Sequence, residues 1–189
     1  MHNESYNALE SEVAKRIYEI ITLGHEIGLH FDPAFYSLLN VQMTQLEYYI
    51  TLEKGLLEQV FGKKVRVFSF HNPDIGNWLK MDRNTVADLI NTYSPYIKQN
   101  YGYCSDSNGY WRFRRLEDVL SEAKEERLQI LTQPEWWVPE AMSPRARISR
   151  CIDGRAQNQH RWYDKLLKEM GRENVGNKND CEGDVYAKT

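Results

Sequence analysis

Two histidines of this chain stand where short β-strand-like segments end. His30 closes the segment Glu26–His30, directly before a turn signal, and His71 follows the β-branched and aromatic run Val65–Phe70. A neutral imidazole at a strand exit can bind a metal ion, and a second imidazole on a neighbouring strand exit can complete part of the same ligand set. This pattern predicts a metal site at His30 and His71. For either histidine alone, a hydrogen bond in the core or at the surface is the alternative.

Acidic and aromatic side chains follow the same kinds of segment. Asp32 and Asp106 can orient imidazoles or bind sugar hydroxyls, which makes them the candidate catalytic carboxylates, although an Asp in a turn most often bonds the backbone two residues on. Trp111 and Trp136 can stack on a sugar ring, and the alternative is ordinary packing. With the polar neighbours included, the predicted substrate-binding set is Asn72, Trp111, Arg112, Glu135 and Trp136.

Segments with strand-like and helix-like residue patterns alternate along the chain. The patterns predict strands at residues 26–30, 65–70, 101–105 and 128–132, and helices at residues 8–23, 46–60, 86–90, 116–123 and from Ser143-Pro144 to Gly171. Such alternation is typical of an α/β fold with a parallel sheet and helical crossovers, open or curled into a barrel. Because parallel strands end at one edge of a sheet, we expect the polar clusters that follow them to share a rim.

Composition restricts the class of protein and the kind of partner. The 189 residues have a formal net charge of -3 and no long Lys or Arg run, which disfavours nucleic acid as a partner. Cys104, Cys151 and Cys181 are too scattered for a disulfide framework or a zinc knuckle. The N-terminus lacks the order of a secretion signal, and no apolar stretch approaches the roughly 18 residues of a membrane span. We therefore expect a soluble, cytoplasmic protein, and the oligomeric state stays open.

Four short motifs of the chain resemble landmarks of one enzyme family. Gly24–His30 reads GHEIGLH, and it is followed by Ser69–Pro73 (SFHNP), Ser105–Arg112 (SDSNGYWR) and Leu131–Trp137 (LTQPEWW). Together they resemble the polysaccharide deacetylases of the NodB-homology superfamily, in a branch associated with bacterial surface polysaccharides. The resemblance implies metal-dependent hydrolysis of N-acetyl groups, with a carbohydrate as the substrate.

The same resemblance predicts how the chain is organised. It implies an α/β fold in the form of a partial distorted (β/α) barrel of the polysaccharide deacetylase type, which lacks the first strand. This deacetylase-like domain is expected over residues 1–173, and a disordered tail over residues 174–189, which are rich in Gly, Asn, Asp and Lys.

Carried over residue by residue, the resemblance assigns a metal role to His30 and leaves gaps elsewhere. In the family, one Asp and two His hold a divalent metal, usually zinc, and a second Asp is the base for the attacking water. His30 matches the first metal histidine, but Ala34 occupies the position of the second, so His71 is the substitute. Gln133 stands where the family has a histidine that protonates the leaving amine, which an amide cannot do. The strand with the paired aspartates would precede residue 1, which implies an N-terminally truncated domain that binds zinc weakly.

These departures lead to three functional hypotheses. The first is a metal-dependent deacetylase of surface polysaccharide, if a longer form supplies the missing strand. The second is a catalytically inactive remnant or a carbohydrate-binding pseudoenzyme, in which Trp and Arg side chains contact the sugar. The third is a regulatory or scaffolding partner that uses the exposed sheet edge left by the missing first strand.

Overall fold

The computed structural model describes residues 7–36, 43–74 and 78–175. The helices of this part of the chain are α1 (Ser11–Thr22), α2 (Met43–Phe61), α3 (Pro95–Asn100), α4 (Leu116–Glu122) and α5 (Pro144–Glu169). The strands are β1 (Leu29–Phe31), β2 (Val67–Phe70), β3 (Thr85–Val86), β4 (Leu89–Asn91), β5 (Gly102–Ser105) and β6 (Leu128–Leu131). Short 3-10 helices lie at Ala34–Tyr36, Trp78–Lys80, Ser107–Gly109 and Pro134–Trp136. Among the described helices, none combines the length and the apolar character needed to cross a membrane.

The main hydrophobic core joins α2 to the strands β1 and β2. The buried apolar face of α2 consists of Leu46, Ile50, Leu57 and Phe61. These positions recur at helical spacing, so one side of the helix is continuously apolar. The strands contribute Phe31, Phe68 and Phe70, whose side chains are completely buried. This packing fixes the sheet whose strand ends hold the two histidines.

The strands form two small sheets. In the larger sheet the order is β1-β2-β4-β3, with β1 parallel to β2, β2 parallel to β4, and β3 antiparallel to β4. Helix α2 connects the adjacent parallel strands β1 and β2, which is a β-α-β unit. Strands β5 and β6 form the second sheet. Its flanking hydrogen bonds, Gly102 N to Arg127 O and Asp106 N to Leu131 O, advance in the same direction along both strands, so this pair is also parallel.

The predicted helix at residues 86–90 is wrong, because these residues form a β-hairpin. Val86 lies opposite Leu89 in the antiparallel pair, and both side chains are buried. Ala87 and Asp88 of the two-residue turn have φ values of 49° and 62°, as a type I′ turn requires. Val86 and Leu89 have the spacing of apolar residues on a helix, but they belong to two paired strands that fill the core. Strand pairing thus overrides the local helix propensity.

Two helices begin at Ser-Pro pairs. The hydroxyl of Ser143 accepts a hydrogen bond from the N–H of Ala146 at 3.2 Å, which confirms the predicted start of α5. The hydroxyl of Ser94 accepts from the N–H of Ile97 at 3.3 Å and caps α3, a helix that the sequence analysis did not predict. Gly171 has a φ of 62° just beyond α5, in agreement with its predicted role as the stop.

The chain divides into two compact units. The first comprises Met1–Tyr103 and Lys124–Gln129, and the second comprises Cys104–Ala123 and Ile130–Thr189. The four-stranded sheet with α1, α2 and α3 belongs to the first unit, and α4 and α5 belong to the second.

The predicted α/β class is confirmed, since helices and parallel strands alternate along the described residues. Their two sheets are small, and they do not form a closed barrel. A partial barrel of the deacetylase type, and a single family domain over residues 1–173, stay predictions. Most of the predicted disordered tail, residues 176–189, lies outside the described residues.

Candidate functional site: a histidine pair and an aromatic cleft

The parallel pairing of β1 and β2 brings the two predicted metal histidines together. In the register of these strands His30 lies beside Ser69, so His71 falls two positions further along, just beyond the end of β2. The backbone N–H of His71 donates to the carbonyl oxygen of Phe31 at 2.7 Å, which continues the ladder past the last strand residue. Both imidazoles therefore leave the same end of neighbouring strands in the first unit.

The two imidazoles are in direct contact. Nδ1 of His71 lies 3.3 Å from Nε2 of His30, and the ring planes are nearly perpendicular, with centroids 5.3 Å apart. Nδ1 of His30 lies 2.7 Å from the hydroxyl oxygen of Ser69. The amide nitrogen of Asn72 lies 3.0 Å from Nε2 of His71. The pair is thus held in place by polar neighbours on both sides, and Asn72, a predicted substrate-binding residue, lies next to it.

Burial keeps the His30 ring neutral. Burial and, to a smaller extent, the adjacent His71 lower the pKa of His30 from its usual 6.5 to about 4, while Asp32 acts in the opposite direction. A neutral imidazole is the form that binds metals. The electrostatic environment of His30 is therefore compatible with a ligand role.

The distances allow one ion to bind both rings, but the described residues do not complete a catalytic metal site. Two nitrogens bound to one tetrahedral zinc at about 2.0–2.1 Å lie roughly 3.3 Å apart. Catalytic zinc sites have three protein ligands. Within residues 7–36, 43–74 and 78–175, no three His, Cys, Asp or Glu side chains are arranged to hold an ion. The carboxylate of Asp32 accepts a hydrogen bond from the N–H of Ala34 at 2.9 Å, which is the turn role that the sequence analysis gave as its alternative.

The second unit contains a cleft of about 530 Å³ with aromatic walls. It is lined by Asp106, Gly109, Tyr110, Trp111, Arg115, Trp136, Trp137 and Arg147. These residues come from the segment that follows β5, from the segment that follows β6, and from the first turn of α5. We call this site the aromatic cleft.

A chain of hydrogen bonds ties one wall of the aromatic cleft to its buried acid. The indole N–H of Trp137 donates to the hydroxyl oxygen of Thr132 at 2.8 Å, and that hydroxyl donates to Oδ2 of Asp106 at 2.6 Å. The indole N–H of Trp136 donates to the side-chain oxygen of Gln133 at 2.8 Å. Both indole rings are therefore positioned by polar contacts rather than by apolar burial alone.

Arg147 links two backbone segments of the cleft, at Gly109 and at Trp136, by hydrogen bonds. Its Nη1 donates to the carbonyl oxygen of Gly109 at 3.1 Å and to that of Trp136 at 3.4 Å. Gly109 has a φ of +82°, and a Cβ at this position would lie 3.2 Å from both Pro144 and Trp136. Only glycine combines this backbone conformation with such a close approach. These contacts fix the shape of the aromatic cleft within the second unit.

The structure sorts the predicted site residues into the two units. His30, Asp32, His71 and Asn72 belong to the first unit, whereas Asp106, Trp111, Arg112, Glu135 and Trp136 belong to the second. Asp106, Trp111 and Trp136 line the aromatic cleft. The guanidinium of Arg112 lies 5.4 Å from the ring centroid of Tyr110 and so stacks on a residue of the cleft. Glu135 is half-buried in the 3-10 helix after β6 and is not part of the lining.

Five lining residues are outside the predicted set of site residues: Gly109, Tyr110, Arg115, Trp137 and Arg147. Tyr110 follows the positive-φ residue Gly109, and its local sequence carries no separate signal. Arg147 lies three positions after the predicted helix start at Pro144, so the cap indicated its helical turn but not its contacts across the second unit. Tyr110 and Arg147 line the cleft because segments that are distant in sequence meet there, and a single sequence carries no local signal of such contacts.

Comparisons with protein-family models, curated proteins and solved structures found no match to this chain. The resemblance to polysaccharide deacetylases therefore stays a prediction from its four motifs.

Proposed function

We propose that this chain is a deacetylase-like carbohydrate-binding protein that holds a sugar ring in the aromatic cleft. The observation that carries the proposal is the combination of three Trp side chains and Tyr110 with a buried carboxylate, Asp106, in one cleft. The C–H faces of a pyranose are apolar, whereas its edge carries hydroxyl groups. Aromatic walls with a few fixed polar groups match this division.

Exchange of a cleft tryptophan tests the proposal against a matched control. Trp137 lines the cleft with 63% of its surface exposed, and Trp162 lies on α5 outside the cleft with 64% exposed. We expect Trp137→Ala to weaken binding of an N-acetylglucosamine tetramer about tenfold, and Trp162→Ala to leave it unchanged. Isothermal titration of both full-length variants measures the difference. Equal affinities for the two variants would exclude the aromatic cleft as the sugar site.

A second candidate function is metal-dependent hydrolysis of N-acetyl groups on a surface polysaccharide, at His30 and His71. The contact between these two imidazoles supports it. Because the described residues offer two ligands instead of three, we expect weak zinc binding and little acetate release by this chain. Gln133→His alone should not restore activity, because a proton donor does not replace a missing metal ligand or base.

Zinc titration followed by an acetate assay separates the two candidates. We expect His71→Ala to abolish the weak zinc binding, while His25→Ala, at an exposed position outside the pair, leaves it intact. Robust acetate release from N-acetylated oligosaccharides by the unaltered chain with zinc would favour the second candidate. In that case Asp32, Asp74 and Asp106 are the first carboxylates to replace.

A further inference from the structure

Helix α5 is long and has almost no packing of its own. It contains 26 residues, all of which the structure describes, and none of them is buried. Residues 152–165 are exposed without interruption. Among them are Ile152 with 61% of its surface exposed, Trp162 with 64% and Tyr163 with 46%. Helices in proteins owe most of their stability to an apolar face that packs against something, so α5 lacks a partner for such a face.

The large apolar residues of α5 lie on one side of the helix. Trp162 and Tyr163 are four and three positions before Leu166, so these side chains are neighbours on the helix surface. Ile152 is eleven positions before Tyr163, which is close to three turns. At 3.6 residues per turn, the four side chains fall within roughly 100° of the helix circumference. We call this side the α5 apolar stripe.

The opposite side of α5 is basic. The helix contains seven Lys and Arg against three Asp and Glu, although the whole chain has a net charge of -3. Four exposed cations fall within roughly 60° of the circumference, opposite the apolar stripe: Arg150, Arg161, Lys165 and Lys168. Lys165 lies 3.7 Å from the carboxylate of Glu169, but both side chains are more than 60% exposed and the pair is weak. We call these four residues the α5 basic face.

The polar residues within the stripe distinguish between its possible partners. By the same helical spacing, Arg155 and Gln159 project between Ile152 and Trp162. A closed groove of a protein would remove both from water, which is costly. A layer of lipid headgroups contains water and phosphates, and the Arg stem can lie along apolar surface while its guanidinium stays hydrated. A second copy of α5 would bring two basic helices together, which like charges disfavour. These features favour an anionic lipid surface.

We propose that α5 anchors this protein on a membrane surface that carries anionic lipids. The helix lies along the surface, with the apolar stripe between the headgroups and the acyl chains. Such helices are buried by about 5–10 Å, and a helix is about 10–12 Å across, so the basic face stays within about a Debye length of the phosphates. Trp and Tyr are the side chains that favour this boundary. The anchor is a further function, independent of sugar binding in the aromatic cleft.

Vesicle flotation of the full chain provides the test. One set of vesicles contains equal parts of phosphatidylglycerol and phosphatidylcholine, and the other contains phosphatidylcholine alone. We expect binding to the anionic vesicles to be at least about tenfold tighter, because each cation near the surface adds to the attraction. This difference should shrink at high salt, which screens the attraction.

The apolar stripe is tested with two equally exposed tryptophans. We expect Trp162→Ala to weaken binding to the anionic vesicles about tenfold, because a large apolar side chain no longer enters the interface. Trp137→Ala, in the aromatic cleft and 63% exposed, should leave vesicle binding unchanged. The two variants thus have opposite expected effects on vesicles and on the N-acetylglucosamine tetramer, so the anchor and the proposed function can fail separately.

The basic face is tested with two matched charge reversals. We expect Arg161→Glu with Lys165→Glu to weaken binding to anionic vesicles by more than about tenfold. Lys63→Glu with Lys64→Glu makes the same change in net charge at exposed positions of the first unit, and should weaken binding less than about threefold. Circular dichroism of each variant checks that the helices are retained.

Several results would overturn the anchor. These are equal affinity for the two kinds of vesicle, no binding to either, or equal effects of the two substitutions in a matched pair. Binding to soluble polyglutamate as tight as that to vesicles would instead indicate an acidic protein as the partner. A dimer in analytical ultracentrifugation that Trp162→Ala dissociates would assign the apolar stripe to a second copy of this chain.

Discussion

The histidine pair and the aromatic cleft use their polar atoms in different ways. In the pair, the ring nitrogens of His30 lie within hydrogen-bond distance of Ser69 and His71, and Asn72 lies beside the outer nitrogen of His71. In the cleft, Asp106 is bonded through one carboxylate oxygen only, and its other oxygen has no partner among the described residues. The Nε of Arg147 is in the same situation.

The difference shows what each region can do without a ligand. Hydrogen-bonded groups such as the histidine pair avoid the penalty of losing water, whereas unbonded buried groups are a cost to the fold. The pair is also positioned by a parallel ladder over a buried core, while the cleft is built from turns, two short 3-10 helices and the start of α5. The proposed function rests on the aromatic walls of the cleft and on Asp106.

The largest effect is expected from a substitution that removes apolar packing next to the histidine pair. Phe68 of β2 is completely buried and directly precedes Ser69. We expect Phe68→Ala to lower the free energy of unfolding by about 3–5 kcal/mol, because it leaves a cavity in the core. Phe113 of the second unit is 79% exposed, and Phe113→Ala should change this free energy by less than about 0.5 kcal/mol. Urea denaturation measures both values, and similar losses at the two positions would contradict the assignment of the core.

The pH dependence of stability is a second way to test the pair. An unfolded chain protonates His30 near its usual pKa of 6.5, whereas the folded chain does so only at a pKa of about 4. The unfolded state therefore binds more protons in this interval, and stability falls as the pH drops from 6.5 towards 4, by up to about 3 kcal/mol. Above pH 6.5 the His30 ring is neutral in both states, so the free energy of unfolding no longer depends on its protonation.

A variant isolates this contribution from the titration of carboxylates. His30→Gln should remove the part of the pH dependence that lies between the two pKa values, whereas His25→Gln, at an exposed position, should keep it. Urea denaturation of the three chains across this pH range gives the comparison. Parallel pH profiles for the unaltered chain and His30→Gln would show that burial does not hold His30 neutral.

The two regions also differ in how far the sequence predicts them. The strand before His71 is predicted from a β-branched and aromatic run, and the segment that ends at His30 from the turn signal after it. The structure brings the two histidines together because β1 and β2 are adjacent and parallel. In contrast, Arg147 belongs to the cleft through contacts with the carbonyl oxygens of Gly109 and Trp136. Such contacts between distant segments leave no periodic signal in a single sequence.

The errors in the predicted elements have local causes instead. The hairpin at Val86 and Leu89 depends on positive φ values at Ala87 and Asp88, a pair without the Asn-Gly or Asp-Gly signature of such turns. Helix α3 was missed although Ser94-Pro95 carries the same signal as Ser143-Pro144. A six-residue helix is too short to show an apolar periodicity, so the cap signal at Ser94-Pro95 had no helical pattern after it.

The two Ser-Pro caps, one in each unit, provide a closely matched test with the smallest expected change in stability. Ser94 in the first unit is completely buried, whereas Ser143 in the second unit is exposed. Loss of a cap hydroxyl costs about 0.5–2 kcal/mol of stability, and water can replace the lost hydrogen bond only where it reaches the helix end. We therefore expect Ser94→Ala to lie near the upper limit of this range and Ser143→Ala near the lower limit. Ser143→Asn, which keeps a capping oxygen, should retain the original stability. Urea denaturation gives the free energies, and amide hydrogen exchange at Ile97 and Ala146 reports whether each helix start has opened. A larger loss at Ser143 than at Ser94 would mean that burial does not distinguish the two helix starts, and would remove one basis for contrasting the first unit with the second.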